Sequence, residues 1–208
     1  MRRSGLVRSL AVVVGAFVIA SCSEAGISAP IAPAETIAAP ASAQFGAQGL
    51  IGAVTDVTHL KLKALWWKNN HQKIVTVSQT IDQWGGTISI PETGLTLSFP
   101  RGAVTNPIKI TVTSDDKYVA YKMEPSGTTF LEDVTVTQLL APTAVSGAPL
   151  RSQLYAAYIA DDKLKLSGIV KALEIEVSTT IFSHNSPRLP EAQVWVIRHF
   201  SRYMLASG

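Results

Sequence analysis

Two aspartate pairs and a few imidazole, hydroxyl and indole groups carry whatever chemistry this 208-residue chain can perform. Asp115-Asp116-Lys117 and Asp161-Asp162-Lys163 place adjacent acids between segments that read as strands. Such pairs can ligate calcium or, facing one cleft, act as acid and base in glycoside hydrolysis. They equally suit hairpin tips, because aspartate bonds its own backbone in a turn and the following lysine offsets the charge; that is the role expected of both. His199 and Ser201 are two apart in an alternating segment, so on a strand they share a face about 6–7 Å apart while Phe200 points the other way. The same alternation groups Trp195, Ile197, His199, Ser201, Tyr203 and Leu205, a face that also suits a core histidine bonded to a serine. Trp66-Trp67, with Lys61, Lys63 and Lys68 around it, is a candidate aromatic platform for a glycan or membrane surface, or else a pair with one ring in the core and one at its edge. Glu174 and Glu176 alternate with Leu173, Ile175 and Val177 and read as the solvated face of a strand. His59, His71 and His184 have neither mutual spacing nor cysteine partners suited to a metal, and the chain has no glycine-rich phosphate loop, G-x-S-x-G turn or H-E-x-x-H. No metal and no cofactor are expected.

The N-terminus reads as an address. Arg2, Arg3 and Arg8 precede Leu10 to Ala20, an unbroken run of apolar or small residues that matches a signal-peptide core and is too short to span a bilayer. Cleavage after Ala20 competes with cleavage before Cys22. Ile19-Ala20-Ser21-Cys22 resembles the bacterial lipobox, in which the cysteine becomes a thioether to diacylglycerol, and Cys22 is the only cysteine in the chain. Two or three palmitate-like chains, with about 0.8 kcal/mol for each buried methylene, give stable membrane attachment. Ser23 rather than aspartate after the cysteine resembles the pattern directed to the outer membrane, so the expected location is that membrane, facing the periplasm or the cell surface. Residues 23–48 hold nine alanines, three prolines and two charges, too little side-chain area to offset ordering entropy. The expected organisation is a signal peptide over 1–21, a lipidated Cys22 and flexible linker over 22–58, and a folded domain over 59–208.

Removing the three leader arginines from eighteen cations leaves fifteen against fifteen anions. A neutral chain lacks the cationic footprint that phosphate neutralisation demands, so no nucleic-acid partner is expected.

The folded part reads as strands. Residues 74–77, 87–90, 95–99, 108–113 and 134–137 alternate apolar with small polar residues, and Gly85-Gly86, Pro91 to Gly94, Pro100-Arg101-Gly102 and Pro125-Ser126-Gly127 punctuate them as turns. Further strands are expected at 118–123, 154–160, 168–178 and 192–204. About eight or nine strands at this spacing predict an all-β, antiparallel β-sandwich, with a closed barrel as the alternative.

The run Gly85 to Pro91 followed by Thr93 to Val104 resembles the ZU-five domain, named for zonula occludens proteins and uncoordinated netrin receptors. Residues 107–113, Pro125-Ser126-Gly127 with Phe130, and His199-Phe200-Ser201 match further pieces of that pattern. The resemblance covers about 81–140 well, with C-terminal strands over 150–208 matching weakly. It implies a packing and partner-binding module. In self-processing relatives with the tripeptide, the serine hydroxyl attacks the preceding carbonyl in an N-to-O acyl shift, the histidine assists proton transfer and water completes the cut. Autoproteolysis between Phe200 and Ser201 is therefore an alternative implied by the resemblance.

The expected product is an envelope-anchored lipoprotein, held to the membrane through Cys22, whose sandwich is a non-catalytic binding or structural module for a protein or glycan partner. The self-cleaving module and a carbohydrate-binding or carbohydrate-active domain are the alternatives.

Overall fold

The computed structural model describes residues 62–208 except residue 162. The leader-like segment, Cys22, the linker, His59, Lys61 and Asp162 lie outside the described residues.

The described residues fold into twelve strands and no helix: β1 (Lys63–Ala64), β2 (Thr76–Ile81), β3 (Gly86–Ile90), β4 (Leu95–Phe99), β5 (Ile108–Ser114), β6 (Ala120–Glu124), β7 (Thr129–Leu139), β8 (Leu154–Ile159), β9 (Glu174–Glu176), β10 (Ser178–Ser183), β11 (Ser186–His199) and β12 (Arg202–Ser207). They form two antiparallel sheets, a larger one in the order β2-β5-β6-β12-β8-β9 with β1 on β12, and a smaller one in the order β10-β11-β7-β4-β3. The architecture is the β-sandwich that the alternation predicts; the ladders stay separate, so it is not a closed barrel.

Period-two patterning fixes which face turns inward. Ile88 and Ile90 on β3, Leu95 and Leu97 on β4 and Val134 and Val136 on β7 are buried against Ile110 and Val112 on β5 and Tyr121 and Met123 on β6. Thr87, Ser89 and Ser98 between them are exposed. Each fully buried aliphatic or aromatic side chain contributes about 1.5–3 kcal/mol. Gly85 turns the β2–β3 connection at φ +83°, where an added Cβ would fall 2.2 Å from the Phe99 carbonyl oxygen. Glycine is required there for two reasons at once, handedness and room.

A second apolar layer covers the outside of the larger sheet. Leu62, Ala64, Tyr118, Ala157, Val170, Ile175 and Met204 pack there, with Leu164 and Leu166 against them. The segments around Ala64 and Gly168 hold this layer together, with the Ala64 amide donating to the Gly168 carbonyl and the Val170 amide to the Leu62 carbonyl. β12 is consequently buried on both faces from Tyr203 to Ala206.

Twelve strands stand where eight or nine are expected: the two-residue β1 is an addition, and two more arise because two expected strands each divide. The segments 168–178 and 192–204, each expected as a single strand, both change sheets part-way. The first leaves the larger sheet after Glu176 and enters the smaller at Ser178; the second leaves the smaller at His199 and enters the larger at Arg202. A sheet change within one or two residues barely interrupts alternation, so periodicity alone does not reveal it.

Candidate functional site

The two sheet changes bring their residues together at one place. On the larger sheet, Glu174 of β9 pairs with Tyr158 of β8, which pairs with Tyr203 of β12; one row along, Glu176 pairs with Ala156, which pairs with Leu205. Residues two apart share a face, so both glutamates lie on the face that carries Tyr203 and Leu205 into the space between the sheets. Ile175 between them is buried in the outer layer. The expectation of a solvated glutamate face is therefore reversed: Glu174 and Glu176 are half-buried and turned inward. Alternation identified two faces but not which was wet, because the outer layer that buries Ile175 comes from distant chain.

His199 reaches this place from the smaller sheet, at the end of β11, where it pairs with Thr129. Its ring lies edge-on to Tyr158 at 4.5 Å and stacks near Tyr203 at 6.3 Å. The Tyr203 hydroxyl donates to the His199 carbonyl at 2.8 Å and lies 3.2 Å from His199 Nδ1. One donor atom each from Glu174, Glu176 and His199 lies within 4.8 Å of the other two. Burial, then the neighbouring Glu174 charge, pushes the Glu176 carboxyl up to about 7, with the facing Tyr203 hydroxyl drawing it partly back. The Tyr203 phenol is raised from its ordinary value by burial first and the Glu176 charge second. Glu176 Oε1 is a buried oxygen with no hydrogen-bond partner. Among the described residues, neither glutamate has a cationic side chain paired with it.

No protein-family model matches the chain, and no curated protein matches it in sequence. The site must be read from its own geometry.

The tripeptide His199-Phe200-Ser201 is the link between β11 and β12, not a stretch of continuous strand. Phe200 is fully buried, 4.7 Å from Phe130 and 6.2 Å from Phe99 in edge-to-face contact. Its amide donates to the Thr128 carbonyl, and its carbonyl accepts from the Gly127 amide, both at 2.8 Å. The buried Ser201 hydroxyl donates toward the carbonyls of Ile159 at 3.0 Å and Ala160 at 3.3 Å. The tripeptide thus ties the β6–β7 corner and the end of β8 together.

The remaining sites separate. Trp67 is 1% exposed, its indole N–H donating to the Asp115 carbonyl at 2.9 Å, while Trp66 is 45% exposed and lies against Tyr118. One ring is interior and one marginal. Asp115 Oδ1 accepts from the amides of Lys117 and Tyr118, and Asp161 Oδ1 from that of Lys163. Both carboxylates hold turns, the use aspartate has at hairpin tips. His71 and His184 are exposed.

The sequence pattern put Tyr203 on one face with His199 but gave no sign that Glu174, Glu176 and Tyr158 are its neighbours. The Glu-x-Glu spacing was the only local signal, and it needed the inward face to be known.

Proposed function

We propose that this chain is an envelope-anchored lipoprotein whose β-sandwich serves as a non-catalytic binding or structural module. The observation that carries the reading is the use of the tripeptide as a corner: Phe200 fills the space beside Phe99 and Phe130, and the Ser201 hydroxyl is spent on main-chain carbonyls. The hydroxyl most suited to covalent chemistry is thus engaged in holding the start of β12 to the end of β8. The aspartates suited to acid–base work hold turns in the same way. The resemblance of residues 81–140 to the ZU-five domain points to partner binding, and the half-exposed Trp66 on Tyr118, with Lys117 5.2 Å from that ring, offers an aromatic and cationic contact surface. The lipobox-like ending at Cys22 and the alanine- and proline-rich stretch after it support attachment at the outer membrane through an acylated cysteine.

Replacing Cys22 with serine and fractionating membranes tests the anchor. The parent chain is expected in the membrane fraction and labelled by fatty acid, and Cys22→Ser in neither state; unchanged membrane retention contradicts the anchor.

One observation favours self-cleavage as a second reading. The Gly127 amide donates to the Phe200 carbonyl, the group a Ser201 hydroxyl attacks in an N-to-O shift, and so sits where an oxyanion would be stabilised. A new amine at Ser201 that disappears in Ser201→Ala decides for this reading; its absence decides against.

A further inference from the structure

We propose that Glu174, Glu176 and His199 form a binding site for one divalent transition-metal ion of the zinc type, placed where the two sheets exchange strands.

The donors come from both sheets and converge: one ligand atom from each residue lies within 4.8 Å of the others. Zinc–oxygen and zinc–nitrogen bonds of about 2.0–2.2 Å place tetrahedral ligands about 3.4 Å apart, so capture needs only a short contraction. Two flexible glutamate side chains can supply it by rotation about their own bonds, with the histidine held still by its ring contacts.

The imidazole is prepared for the task. The Tyr203 hydroxyl lies 2.8 Å from the His199 carbonyl and 3.2 Å from Nδ1, so it holds the ring from one side. A ring oriented by a hydrogen-bonding neighbour at one nitrogen is the usual arrangement of a metal-ligating histidine.

A second observation points to a cation independently of the clustering. Glu176 Oε1 is buried and makes no hydrogen bond, although buried carboxylate oxygens ordinarily find donors. Neither glutamate is paired with a lysine or arginine among the described residues. A metal ion supplies the missing positive charge to all three ligands together. The nitrogen ligand disfavours calcium and magnesium, which take oxygen shells, and the mix of one imidazole with two carboxylates suits zinc and its neighbours. Three protein ligands leave one position for water or for a group from a partner.

Such an ion ties the three-residue β9, at the edge of the larger sheet, to the end of β11 in the smaller.

The test is titration of the purified, chelator-treated full chain with zinc ion alone by calorimetry, with cobalt(II) absorption as the spectroscopic readout. The expected result is one ion per chain with a micromolar or tighter dissociation constant. Glu176→Gln and His199→Ala are each expected to weaken binding at least about tenfold, and His71→Ala, at an exposed remote position, to leave it unchanged. Glu176→Gln preserves side-chain volume, so it decides the matter should His199→Ala fail to fold. Absence of saturable binding, or equal affinity in the parent and Glu176→Gln, overturns the site.

Discussion

Tyr203 donates its hydroxyl to the carbonyl of His199, four residues earlier, and so closes the link through which the chain passes from one sheet to the other. The bond is short in sequence and decisive in space: it joins the end of β11 to β12 and puts the phenol beside the histidine ring. Tyr203→Phe keeps the buried ring and removes only the hydroxyl. It is expected to cost about 1 kcal/mol in urea unfolding and to weaken zinc binding by about tenfold or more, since the ring loses the hydroxyl that orients it.

Phe200 is expected to dominate the stability of the same corner. Its ring meets Phe99 and Phe130 in the core and is 0% exposed. Phe200→Ala should lose about 3–5 kcal/mol by equilibrium denaturation, whereas Phe200→Leu, which refills most of the volume, should lose clearly less. Equal losses would mean that the aromatic contacts are not what holds the corner.

A buried polar clamp joins the sheets at another point. Tyr121 of the larger sheet donates to Gln138 Oε1 at 2.6 Å, and Gln138 Nε2 donates to the Thr93 carbonyl at 2.6 Å, with Gln138 fully buried. Gln138→Leu leaves the phenol and that carbonyl without these partners and is expected to cost about 1–3 kcal/mol.

The pH dependence of that clamp has a definite sign. Burial raises the Tyr121 phenol above its ordinary value of 10.0, so the folded chain keeps a proton that the unfolded chain releases. The corresponding stability is whole below about pH 10 and declines as pH rises beyond it. Unfolding followed at increasing alkalinity should show this decline, and Tyr121→Phe should make it shallower.

Gly85 and Gly127 separate steric from conformational demand. Both have positive φ, +83° and +79°, but a Cβ at Gly85 would meet the Phe99 carbonyl at 2.2 Å whereas one at Gly127 meets nothing within 4 Å. Gly127→Ala is expected to cost about 1–2 kcal/mol, the left-handed penalty alone. Gly85→Ala should cost considerably more, measured by thermal melting of the two variants side by side.

The larger outline of this fold was legible in the residues because alternation and turn chemistry are local. Leu95–Phe99 appears as a strand with the limits its pattern predicts, and the glycine at 94 sits at positive φ as its turn requires. What escaped depends on chain far away in sequence. Ser178–Ser183 was hidden because its ladder partner and its neighbour in sequence belong to different sheets. The inward turn of Glu174 and Glu176 was hidden because the layer over Ile175 is built from residues as distant as Leu62 and Met204. His199 was visible as a reactive type and Tyr203 as sharing its face, but Tyr158 and the glutamates came from β8 and β9, which no spacing rule connects.

A single intact-mass spectrum of the chain extracted from native membranes tests the functional reading most directly. One species is expected, running unbroken from an acylated Cys22 to Gly208. An unacylated cysteine, or the separate eight-residue peptide Ser201 to Gly208, would contradict it.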